Sequence, residues 1–349
     1  MSSQRRTGAW SGRFRQERAD ARSILPLRAE FERVKTKVFF VSDVHGSDRC
    51  FRKFVNAGKF YGADVLILGG DVTGKAIVPM VRMADGTVKA REGNMDRLLK
   101  SQSEIEGFKN SISDAGNYPY VADSKEFEEL AAKPELVVGL FKRLMVESLG
   151  SWIKLADERL AGTGIECYIS PGNDDYFEID EVLSSGKHVV NPEGRVVEID
   201  DKHEMITLGY TNRTPWDSPR EVDEDVLQKK IDAMAERVRE MPDAIFNIHV
   251  PPIDTPIDQA PKLDKDLKPV VSGGDVVMAS AGSMVVRASI EKYQPLVGLH
   301  GHIHESRGMV KIGRTMCFNP GSEYASGILK GVLCELDGDA VRSYLLTSG

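Results

Sequence analysis

Cysteine is scarce and scattered. The four cysteines, Cys50, Cys167, Cys317 and Cys334, form no CxxC pair. That excludes a disulfide scaffold and a zinc-finger site, and leaves a reducing cytoplasm as the expected compartment. No apolar run reaches the roughly 18 residues of a membrane-spanning helix, so none is expected. The N-terminal stretch has no apolar segment of the kind a secretory signal needs, and no internal repeat is present. A net excess of cations is also missing. The formal charge is −7, so the chain as a whole offers no electrostatic case for nucleic acid or an anionic membrane. The charge is uneven, with ten Lys/Arg against four Asp/Glu in residues 1–37, which makes that head +6 and the rest −13. Residues 1–36 read as a frayed basic arm. Histidine is rare too, with seven in 349 residues.

What is present is 41% apolar and 28% charged, enough to bury a sizeable core. "KVFFVSDVHG" reads as a buried strand from Lys37, "CFRKFVNAGKFYG" has helical spacing, and "ADVLILGGDVTG" is a second strand. Strand, helix and strand in so short a span predict a βαβ unit with a parallel pair. From Asn94 to Leu160 the spacing is mainly helical, including "MDRLLKSQSEIEGFKNSI" and a long amphipathic stretch broken at Lys133-Pro134. We therefore expect a largely helical insertion over 75–163 within one domain over 37–349. Its apolar stripe must bury against the core or another subunit, which makes an oligomer through the insertion one expectation. Further strands alternate with helices to the C-terminus, giving an α/β chain. A loop of about twenty residues, "TPIDQAPKLDKDLKPVVSGG", is long enough to suggest a lid.

The apolar strands end alike. They stop at Asp43-Val44-His45, at Gly70-Asp71, at Gly172-Asn173-Asp174, at His249, and at Gly301-His302-Ile303-His304. In open α/β sheets, sites form outside the carboxyl ends of strands. His, Asp and Asn without thiolate suit divalent ions such as Mn²⁺, Fe²⁺ or Zn²⁺, with Ni²⁺ a further candidate. If strand geometry persists to the end, Asp43/His45 and His302/His304 each place two ligands on one face. A carboxylate in the position of Asp71 can bridge two ions about 3.5–4 Å apart. The plainer reading of Asp43 and Asp71 is helix capping, and the paired histidines speak against it. Arg287 is a candidate phosphate contact, because a guanidinium can hold two oxygens at once.

In this order, D-x-H, G-D, G-N-(H/D), H and G-H-x-H resemble the calcineurin-like metallophosphoesterase superfamily, and among its members the Icc-like bacterial and archaeal phosphoesterases. The resemblance implies a two-sheet β-sandwich flanked by helices, here with an inserted helical subdomain. It implies that Asp43, His45 and His304 bind one metal, that Asn173, His249 and His302 bind a second, and that Asp71 bridges. It further implies a phosphoester hydrolase, expected to be a phosphodiesterase acting on a small phosphoester or nucleotide, in which a metal-bridging hydroxide attacks phosphorus in line. A nuclease of the same superfamily and a non-catalytic scaffold are the alternatives, and the acidic body argues against nucleic acid. One position departs. Many relatives carry His after the Asn as proton donor, and this chain has Asp174. Asp174 could be held protonated, could be an acceptor that orients a ligand imidazole, or could leave proton donation to another group. The acceptor role is the expectation, since an ordinary carboxylate is ionised at neutral pH.

Overall fold

Apolar residues in successive positions, with both faces needing cover, build strands at the centre of the chain. The computed structural model describes residues 35–92 and 95–349. Lys35 and Thr36 already belong to the first strand, and the rest of the expected basic arm lies outside the described residues. In chain order the elements begin with β1 (Lys35–Val41), α1 (Asp48–Tyr61), β2 (Val65–Gly69), β3 (Ile77–Arg82), β4 (Val88–Glu92) and β5 (Met95–Leu99). Next come α2 (Gln102–Asp114), β6 (Tyr118–Asp123), α3 (Ser124–Ala132), α4 (Pro134–Leu160), β7 (Glu166–Ser170) and α5 (Ile179–Leu183). Then follow β8 (Val196–Glu198), β9 (Glu204–Leu208), β10 (Thr211–Asn212), β11 (Glu221–Val222), α6 (Glu224–Ala235) and β12 (Ile245–Ile248). After these lie β13 (Gln259–Pro261), β14 (Val271–Ser272), β15 (Asp275–Val276), β16 (Met278–Ser280), α7 (Met284–Tyr293) and β17 (Val297–Leu299). Last are β18 (Gly308–Ile312), β19 (Thr315–Asn319), β20 (Lys330–Asp337) and β21 (Ala340–Ser348).

Two sheets stack. One runs β21-β20-β1-β2-β7 and the other β18-β19-β17-β12-β9-β8. Period-two alternation divides each strand between two cores. In β1, Val38 and Phe40 face the second sheet and pack with Met205, Ile245, Val297 and Phe318, while Phe39 and Val41 face α1 and α4. In the second sheet, Ile206, Phe246 and Ile248 turn outward onto Leu227 and Ile231 of α6 and Val286 and Ile290 of α7. The expected βαβ unit is there, with β1 parallel to β2, and the expected two-sheet sandwich flanked by helices is the architecture observed. All four cysteines are buried and unpaired. Among the described residues no helix is long and apolar enough to cross a membrane.

The insertion holds α2, α3 and α4, but also a four-stranded sheet, β5-β4-β3-β6, that the helical reading did not include. "MDRLL" is β5, an edge strand pairing antiparallel with β4. Its Met95 and Leu98 stay exposed, so its spacing reports no buried helical face. The break at Lys133-Pro134 is where α3 gives way to α4, with proline in the first turn. The C-terminal half of α4 belongs to the main core. Met145, Leu149, Trp152, Ile153 and Ala156 pack there, Trp152 stacking on Phe51 at 4.2 Å. Its first turn leaves Leu136, Val137 and Val138 exposed. The long loop predicted as a lid folds into short ribbons, β13 with β16 and β14 with β15.

Candidate metal centre

Parallel pairing brings the carboxyl ends of β1, β2 and β7 to one rim, and those of β12 and β17 to the same rim of the second sheet. The predicted residues meet there. Asp43, His45 and His304 form one group, Asp71, His249 and His302 a second, and His45, Asp71 and Asp174 a third. Each has its donor atoms within 4.8 Å of one another. Asn173 joins the second group through His302 Nδ1, 2.8 Å from its Oδ1. Asp43 Oδ1 lies 3.4 Å from His304 Nε2 and 3.9 Å from His249 Nε2. Asp71 faces both ways, with Oδ2 at 3.6 Å from His45 Nε2 and Oδ1 at 3.5 Å from His249 Nε2.

Strand geometry does not persist to these residues, so the condition for i, i+2 placement is not met. β1 ends at Val41, and Asp43, His45, Asp71 and His302 all take left-handed backbone, with φ of +57°, +40°, +50° and +67°. Such a residue costs about 1–2 kcal/mol relative to right-handed backbone, and Asp and His are among the side chains that tolerate it best. The turns, not the pleat, aim the ligands. The two loops run side by side, with Asp43 N–H donating to Gly70 O at 3.0 Å and His45 N–H to Asp71 O at 2.9 Å. Across the sheets, His302 N–H donates to both carboxylate oxygens of Asp43 at 3.1 Å. Gly301 makes that approach possible, since a Cβ there would collide with Ser42 Oγ and Asp43 Oδ2. Neither aspartate is a helix cap. Ser47 caps α1, accepting from Cys50 N–H at 3.3 Å.

The donor set fits divalent cations. His249 donates Nδ1–H to Gly69 O at 2.9 Å, which fixes its tautomer, and its buried Nε2 has no hydrogen-bond partner. Burial alone would lower the pKa of His249, yet Asp71 and Asp43 outweigh it and take it up to about 10. The carboxylates thus call for positive charge at that point. His45 Nε2 and His304 Nε2 face each other at 3.0 Å. Burial raises the Asp71 carboxyl, and the nearby Asp174 carboxylate adds to that, taking it to about 6. Tyr324 covers one side, its ring 4.7 Å from that of His45, and Ser322 Oγ donates to Asp43 O at 2.6 Å.

Asp174 accepts from an amide and a hydroxyl rather than from an imidazole. Its Oδ1 accepts from Asn173 Nδ2 and from Ser218 Oγ, both at 2.9 Å, and so aims the Asn173 carbonyl at His302. Burial pushes Asp174 upward, but the Lys75 ammonium at 2.8 Å more than reverses that and brings it down to about 2. The Lys75 ammonium thus favours the carboxylate form of Asp174. Arg287 is not at the site. Its guanidinium pairs with Glu291 at 3.0 Å and donates to the Ile253 and Asp254 carbonyls, which brace the loop after β12.

Two residues escaped the sequence reading. Lys75 is one. The other is Asp175, whose fully buried carboxylate accepts from Gly172, Val72 and Thr73 N–H at 2.8, 3.0 and 2.9 Å and from Thr73 Oγ1 at 2.5 Å. It clamps the Asp71 turn to the Asn173 turn. The doubled acid in "GNDD" was the available signal, one carboxylate for the rim and one for the frame.

No family model matches the chain. An uncharacterised protein of Methanocaldococcus jannaschii is 31% identical over 159 residues, a match that spans 45% of this chain and 64% of that relative. One solved crystal structure superposes with a TM-score of 0.53 at 16% identity, covering 90% of this chain and 99% of its own, and shares the fold. A Thermus thermophilus protein reaches a TM-score of 0.47 at 14% identity, over 90% and 99% of the two chains. An archaeal phosphodiesterase reaches 0.31 at 12% identity over the same shares. In this chain the two stacked sheets gather their polar strand ends on one rim.

Proposed function

We propose that this chain is a phosphoester hydrolase dependent on two divalent ions, and that it prefers phosphodiesters. The observation that carries the reading is the placement of Asp71, one carboxylate oxygen toward each of two His/Asp groups. Asp43, His45 and His304 would hold one ion, Asn173, His249 and His302 the other, and Asp71 both. When bound, such a pair supplies Lewis acidity and a nucleophile at neutral pH. The protein's own part is to fix the ligands in strained turns, keep them dry, and orient the Asn173 amide through Asp174. An ionised Asp174 cannot protonate a leaving group, which favours esters whose leaving group departs unaided.

Hydrolysis of bis-p-nitrophenyl phosphate beside p-nitrophenyl phosphate, with Mn²⁺ added, tests this. The diester should turn over faster, and Asp71→Asn should lower kcat by about three orders of magnitude or more, the scale of losing a group that stabilises transition-state charge. Asp174→His should narrow the gap between the esters. Failure of both esters across Mn²⁺, Ni²⁺, Zn²⁺ and Fe²⁺ would retire the hydrolase reading in favour of a binding scaffold.

A further inference from the structure

The rim is built of carboxylates and imidazoles, yet a phosphoester would bring an anion to it. Among the described residues, one Lys or Arg side chain pairs with a carboxylate of the three groups. It is Lys75, with Nζ 2.8 Å from Asp174 Oδ2. Its backbone is held. Lys75 N–H donates to Gly116 O at 3.3 Å, and the preceding Gly74 N–H donates to the Tyr118 hydroxyl at 2.7 Å. Thr73, two residues before Lys75, is gripped by the buried Asp175. The turn that carries Asp71 therefore carries Lys75 as well and delivers its ammonium opposite the Asn173-Asp174 turn. The far oxygen of Asp174 is already occupied by Asn173 and Ser218, so Oδ2 is left for the ammonium. Exposure separates Lys75 from the innermost ligands, with His304 at 28% standing at the same edge as Asp174. The Lys75 side chain is 45% exposed and that of Asp174 29%, whereas Asp43, His45 and His249 are buried. The cation stands at the solvent side of the ligand cluster, within reach of an anion bound there.

We propose that Lys75 contacts the substrate, its ammonium aimed by Asp174 and donating to a non-reacting oxygen of the phosphoryl group. This deepens the phosphoesterase reading and rests on it. An ammonium has three donors on a flexible stem, and Asp174 takes one and leaves two. Asp174 also cancels the pair's charge, so the mouth offers directed hydrogen bonds with little net attraction. That arrangement suits the single charge of a diester better than the double charge of a monoester.

The test uses the full chain loaded with Mn²⁺ and inorganic phosphate as probe, read by titration calorimetry, beside steady-state hydrolysis of bis-p-nitrophenyl phosphate. Lys75→Met should weaken phosphate binding at least tenfold and raise KM, with Mn²⁺ affinity unchanged and Lys75→Arg recovering part of the loss. Asp174→Asn should give a smaller loss. Phosphate binding by Lys75→Met within twofold of the parent would overturn the proposal. So would a parallel loss of Mn²⁺ affinity, which would make the Lys75–Asp174 pair a structural tie. A parent that hydrolyses neither ester but binds phosphate through Lys75 would retire the hydrolase reading and leave this contact standing.

Discussion

At the scale of single residues, the rim separates two kinds of carboxylate that are neighbours in sequence. Asp174 is partly open and turned to side chains, whereas Asp175 is fully buried and turned to backbone. Removing Asp175 would leave the N–H groups of Val72, Thr73 and Gly172 buried without acceptors. Each such group costs about 1–3 kcal/mol, so Asp175→Ala should lose about 4 kcal/mol of stability. Urea unfolding will show this as a lower midpoint at unchanged m. Asp174→Ala should lose far less, because Lys75 reaches water and the Asn173 amide keeps Ser218 Oγ as an acceptor. The candidate ligands were legible in the sequence because each is a polar side chain stranded at the end of an apolar run. Lys75 was not, because nothing local in "DVTGK" tells which of its neighbours in space is an acid.

At the scale of elements, the insertion is fastened to the first ligand turn. Ser47 Oγ donates to Asp114 O at 2.6 Å, Arg49 pairs with Asp114 at 2.7 Å, and Gly116 packs on the backbone of His45. Gly116 has φ of +83°, and a Cβ there would strike His45 O and the Tyr324 ring. Gly116→Ala should therefore lower Mn²⁺ affinity about tenfold, the lower end of what outer supporting groups contribute to metal sites. Gly107→Ala, in α2 with open space around its Cβ, should leave affinity alone and add about 0.5–1 kcal/mol of stability. Calorimetric titration of both variants checks the pair. The sheet inside the insertion was illegible for a related reason. "MDRLL" is an edge strand with few buried residues, so its spacing reflects no face. In β1 and β2, covered on both sides, continuous apolar character left no doubt.

At the scale of the whole molecule, the two sheets are joined at their far end by a buried clasp. Asp200 accepts from His203 Nδ1 at 2.7 Å and from Thr36 of β1, while His203 Nε2 reaches Gly338 O at 2.7 Å in the β20–β21 turn. Burial alone would lower the pKa of His203, but the Asp200 carboxylate more than reverses this, so the folded value lies above the ordinary 6.5. Burial would raise Asp200, and His203 and Thr36 hold it well below the carboxylate range instead. The imidazolium's contribution is fully present below about pH 6.5 and fades as pH rises through the folded value. The carboxylate's contribution is present above about pH 4 and fades in acid. Thermal melts from about pH 6 to 9 should show a decline in Tm that His203→Gln removes.

β1 lies between β2 and β20 and is the strand from which the first ligand turn departs. During synthesis it is made well before β20, its partner on one side, which follows the elements from α1 to β19. Until then its apolar edge is open to any strand that passes, including the same strand on another nascent copy. The N-terminal half can collapse on α1, β2 and α4 as it is made, but the first sheet closes late. Yield in a cell should therefore depend on how well that one edge is guarded during translation, a demand on chaperones that the finished sandwich no longer shows.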